Sequence, residues 1–113
     1  MSALACQAAR AADDKLALDT IVIDVGDVLA ITDHFVVTSG SNPRQVRAIV
    51  EAVKESMLTG ADRKALRTEG TDSYEWVLID FGDFIVHVFH DEVREFYDLE
   101  RLWGDRPRVD WQF

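Results

Sequence analysis

Asp80 and Asp83 flank Phe81-Gly82, and Asp24, Asp27 and Asp33 gather in one short stretch, so the first chemistry to weigh is a carboxylate cluster around a divalent cation. Aspartate is also the ordinary turn residue and strand-end solubiliser, and each of these positions borders a predicted turn or strand end. His87 and His90 stand three residues apart on a predicted strand, so their side chains point to opposite faces, which is poor geometry for one metal. Gly40-Ser41 precedes a predicted helix and has the form of a turn that presents backbone N–H groups to an anion. Cys6 is the lone cysteine, which forbids an intramolecular disulfide and suits the reducing cytoplasm. No complete catalytic motif emerges, and no cofactor or metal is expected.

The elements that carry these residues are legible from periodicity. An alanine-rich amphipathic segment predicts an N-terminal helix within 1–18. β-branched runs predict neighbouring strands at 21–25 and 35–38, with Asp27 as a turn residue between them. Asn42 is placed as an N-cap, with Pro43 at the first helical position and Gln45 at the third, its side chain able to reach back. Val46, Ile49, Val50, Val53 and Met57 then mark one apolar helical face, and Gly60 the C-terminal stop. Residues 61–73 read as a loop with a short strand near 65–68, and Asp91 as the cap of a short helix containing Val93, Phe96 and Tyr97. The expected fold is α/β: a single layered domain over 1–103, with a mixed sheet flanked by helices and an irregular tail over 104–113.

Strands at 76–80 and 84–89 around Gly82-Asp83 form a hairpin that pairs Trp76 with Phe89, Leu78 with His87 and Asp80 with Ile85. Alternation gives one face to Val77, Ile79, Phe81, Phe84, Val86 and Val88, which must be core. The other face carries Trp76, Leu78, Asp80, Ile85, His87 and Phe89. That mixture suits a protein-docking patch, and equally a face covered by a helix.

A chain of 113 residues buries roughly 65% of its unfolded surface on folding, enough for one core without staples. The net charge of −9 disfavours phosphate backbones and anionic membranes, and a basic protein partner fits better. Locally, Arg94 and Arg101 are outnumbered by Asp91, Glu92, Glu95, Asp98 and Glu100, which argues against RNA binding. No apolar run approaches the ~20 residues of a membrane span.

Thr32 to Asn42 (TDHFVVTSGSN), then Arg44-Gln45-Val46 with Ile49, Glu69-Gly70, and above all WVLIDFGDFIVHVFHDEVREFYDLERLW from Trp76 to Trp103 closely resemble the ribosomal silencing factor family, RsfS, also called Iojap-related proteins. The resemblance implies a non-enzymatic translation repressor that docks on large-subunit ribosomal protein number fourteen and sterically blocks small-subunit association. It implies a nucleotidyltransferase-like layout without the active site, and homodimers off the ribosome. The Gly40-Ser41 turn is similar to that of nucleotidyltransferases, but the two carboxylates one residue apart that hold their magnesium are missing. A magnesium-dependent nucleotidyl or phosphoryl transferase using Ser41, Asp80 and Asp83 is the alternative. Carried over by position, the family's docking pattern falls on Trp76, Asp80, Phe81, Asp83, His87, Arg94, Phe96, Tyr97, Glu100 and Trp103. Alternation points Phe81 inward, against that pattern.

Overall fold

The computed structural model describes residues 2–26 and 31–112, so Asp27 lies outside the described residues. Helix α1 (Ala3–Asp13) leads into strands β1 (Leu18–Asp24) and β2 (His34–Gly40), which pair antiparallel as neighbours. Helix α2 (Pro43–Ala61) and the short strand β3 (Arg67–Glu69) follow, then the hairpin β4 (Trp76–Asp80) and β5 (Phe84–His90). Helices α3 (Asp91–Tyr97) and α4 (Leu99–Leu102) and strand β6 (Arg108–Val109) complete the chain. The sheet runs β3-β4-β5-β2-β1-β6, and it is mixed because β5 lies parallel to β2 while the other pairs are antiparallel.

The hairpin has the expected register, from Trp76 opposite Phe89 to Asp80 opposite Ile85. Its apolar face, Val77 to Val88, is buried beneath α2, while α1 lies over β1 and β2 beside it in the same core. The alanines of α1 let it approach closely, and Ala5, Ala8, Ala9 and Ala12 are fully enclosed against the apolar stripe of α2. No described helix is long and apolar enough to cross a membrane.

Several local expectations need correction. The N-terminal helix stops at Asp13, not near residue 18, because Leu16 adopts φ 61° and turns outward. The carbonyls of Lys15 and Leu16 then accept hydrogen bonds from the Gln45 side chain, at 3.2 and 3.0 Å. Asn42 does cap α2, accepting the Gln45 N–H at 2.9 Å, while Gln45 Oε1 reaches back to Ser41 N–H at 2.7 Å. The left-handed stop is Asp62, not Gly60. Gly60 lies inside the helix, where a Cβ would sit 2.6 Å from the Gln7 amide, so its bare backbone admits Gln7 onto the Ser56 carbonyl. Asp91 is the first residue of α3 rather than its cap, and with Glu92 it supplies negative charge to the first turn. The tail is not irregular throughout: β6 adds to the edge of β1, and Trp111 is buried with its indole N–H donating to the Thr20 carbonyl at 2.9 Å.

Candidate functional site: an aromatic docking surface

The second face of the hairpin is neither wholly covered nor wholly free. Phe89 and His87 are buried in a smaller core with Ile23, Val25, Phe35 and Val37, against which Val93 of α3, Leu99 of α4 and Trp103 pack. Trp76, at the edge of that core, is half-buried. Its ring stacks on Phe89 at 4.8 Å, lies 5.0 Å from Tyr97, and donates its N–H to His87 Nδ1 at 3.2 Å. The position of Trp76 depends on Gly70: a Cβ there would stand 2.0 Å from the Trp76 carbonyl, and φ is +94°, so only glycine lets the preceding turn close on the strand.

Beyond Trp76 the aromatic surface opens to solvent. Phe96 is 81% exposed and Tyr97 55%, packed edge to face at 5.1 Å, and Leu102 is also exposed. A cavity of about 680 Å³ runs between the Phe96 and Tyr97 rings and the sheet, walled also by Pro43 and Trp76 and bearing the carboxylates Glu75 and Glu92. Such a cleft offers apolar and π-face contact together with negative charge, which is what a cationic side chain on an otherwise apolar segment needs.

The docking pattern taken from the sequence divides into two groups. Trp76, Phe96 and Tyr97 lie at the aromatic end, while Trp103 packs edge-on at 5.5 Å against Phe35, whose strand position is level with Ile85 and Asp80. Asp80, Phe81 and Asp83 lie at the turn, roughly 14 Å along the strand. There Asp80 Oδ1 accepts the Gly82 N–H at 2.8 Å, and Asp83 is paired with Arg63, which also donates to the Phe81 carbonyl at 2.6 Å. The hydrogen bond from Arg63 holds the Asp83 carboxyl below its usual range. Both carboxylates therefore have structural partners, and Ser41 spends its N–H and hydroxyl on Gln45. Among the described residues, no three His, Cys, Asp or Glu side chains gather in metal-binding geometry.

Three members of the pattern are buried and do not face a partner directly. Phe81 points into the main core and stacks on Phe84 at 4.9 Å, as alternation required. His87 is 5% exposed, and burial pushes its imidazole down to about 4, so it is neutral. Arg94 is a tie: it donates to the carbonyls of Leu18 and Asp19, to Ser39 Oγ and to Glu100 Oε1, all at 2.7 to 3.1 Å. Glu100 is thereby half of an internal ion pair. Glu92 was among the acids that the sequence set toward a cationic partner, but Pro43 and Glu75 were not foreseen as walls of the cleft. Pro43 reaches it from the start of α2, and no local pattern links that helix to α3.

Comparison with known proteins gives this geometry its context. The family model described as "Ribosomal silencing factor during starvation" matches residues 1–113. Ribosomal silencing factor RsfS of Bacillus subtilis is 40% identical over 94% of this chain and 89% of its own. A mouse protein named mitochondrial assembly of ribosomal large subunit protein 1 is 35% identical over 77% of this chain and 39% of its own. A crystal structure from Chromobacterium violaceum superposes with a TM-score of 0.84 at 36% identity, covering 89% of this chain and 83% of the other. One from Bacillus halodurans gives 0.83 at 34% identity, covering 97% and 99%. With the family pattern spanning the whole chain and the same mixed sheet beneath it, the chain belongs to the ribosomal silencing factor family, RsfS.

Proposed function

We propose that this protein represses translation by binding large-subunit ribosomal protein number fourteen and holding the small subunit away by its bulk alone. The observation that carries the reading is the solvent-facing cluster of Trp76, Tyr97 and Phe96 beside a cleft edged by Glu75 and Glu92, on a chain of net charge −9. Aromatic anchors in a partly desolvated cleft concentrate binding energy, and the acidic rim steers toward lysine and arginine. The mechanism is occupancy of a surface and needs no bond to be made or broken, which is why Asp80, Asp83 and Ser41 can be committed to structural hydrogen bonds.

A subunit-joining assay tests this directly. Added to separated subunits, the protein lowers the yield of full ribosomes, and Trp76→Ala, costing on the order of 2 kcal/mol of binding as an interface anchor does, restores most of that yield while the fold persists. Full inhibition by Trp76→Ala would remove the anchor from this reading, and joining unaffected by the natural protein would remove the function. Calorimetry with nucleotide and magnesium should give no binding heat; a saturable signal would favour a transferase.

A further inference from the structure

We propose that His87 is a positioning residue for docking: from within the sheet face it accepts the Trp76 indole N–H and fixes the orientation in which that ring meets the partner. The inference rests on the docking role of Trp76 and deepens it. His87 is enclosed, with Phe35 edge-on at 4.8 Å and Phe89 stacked at 6.3 Å. Because Nδ1 accepts the indole N–H, the imidazole proton sits on Nε2, and Nε2 is buried without a hydrogen-bond partner. An orphaned buried donor is unfavourable, and a phenylalanine would fill the same aromatic slot without one. The feature that an imidazole adds at this position is the acceptor at Nδ1. Burial keeps the ring neutral down to about pH 4, so the acceptor is available throughout the physiological range.

The indole is thereby restrained on three sides, by Phe89 beneath, Tyr97 beside and His87 at its N–H edge. A half-buried tryptophan without the third restraint can turn its N–H toward solvent, and ordering it on binding then weakens the complex.

Two measurements decide the matter. In the natural protein, NMR should show a scalar coupling across the Trp76 Nε1–H to His87 Nδ1 bond, with the His87 proton on Nε2; absence of that coupling overturns the inference without any substitution. Purified large subunits should bind His87→Phe on the order of tenfold more weakly than the natural protein, with its thermal stability kept. His87→Asn, whose amide oxygen stands near the Nδ1 position, should bind more tightly than His87→Phe. In a Trp76→Phe background, which has no N–H to hold, His87→Phe should add nothing. If Trp76→Ala weakens binding but His87→Phe does not, the positioning role fails and the docking surface stands. If Trp76→Ala binds like the natural protein, both fall together.

Discussion

His87, beneath Trp76 of the proposed docking surface, also makes the fold sensitive to acid. Its side chain titrates near 4 in the folded protein because burial opposes the charged form, against about 6.5 in an unfolded chain. Above about pH 6.5 both states are neutral and stability is unaffected. Between 6.5 and 4 the unfolded chain takes up a proton that the folded chain refuses, so stability declines as pH falls. Below about 4 the loss is complete, on the order of 3 kcal/mol. Asp83, held low by Arg63, adds its own loss only as pH drops below the usual carboxylate range near 3.8, so the two effects separate on the pH axis. Urea melts between pH 7 and 4 should show a falling midpoint in the natural protein and a flatter one in His87→Phe. Equal slopes would mean that His87 does not carry the acid sensitivity.

At the scale of elements, one buried side chain on α3, the helix of the proposed docking surface, links it to three other elements. Arg94 ties α3 to the ends of β1 and β2 through carbonyls of Leu18 and Asp19 and through Ser39, and to α4 through Glu100. Arg94→Ala leaves that buried set without its donor and should cost about 3 kcal/mol or more, while Arg94→Lys, lacking the planar fork, should recover little. Thermal melts read the cost, and NMR of Phe96 and Tyr97 reads the loosening of α3. Gly70→Ala acts on the other wall, because its Cβ must displace the Trp76 carbonyl, so subunit binding should fall with it. These ties mark where the sequence stops being legible. The hairpin could be paired residue by residue because alternation and the Gly82-Asp83 turn are local signals, and α2 because Asn42, Pro43 and Gln45 form a local cap. Arg94 reaches residues 55 to 76 positions away, and no local periodicity encodes such a contact. Likewise alternation separated the two hairpin faces, but it could not say that Phe35, Val93 and Trp103 would cover half of the second one and leave Trp76 at the rim.

Over the whole molecule, the aromatic cleft and the closure of the chain lie on different parts of the sheet. Trp76 is on β4, and β6 is four strands further along, roughly 19 Å away at ordinary strand spacing. Trp111 follows β6 and packs into the core beneath α1, where its indole N–H meets the Thr20 carbonyl and its own carbonyl accepts from Arg10. The last residues therefore tie the first helix to the far edge of the sheet. Removing that ring should cost about 3 to 5 kcal/mol, as emptying a large aromatic site does, and lower the melting temperature on the order of 10 °C or more. Sites this far apart without shared partners contribute independently, so Trp111→Ala should bind large subunits with unchanged affinity at temperatures where it remains folded. Melting curves and co-sedimentation measured on Trp111→Ala and Trp76→Ala together form the test: Trp111→Ala loses stability and keeps binding, while Trp76→Ala loses binding and, its ring being only half-buried, loses less stability. A Trp111→Ala protein that is fully folded yet fails to bind would show that the docking surface extends to the opposite edge of the sheet.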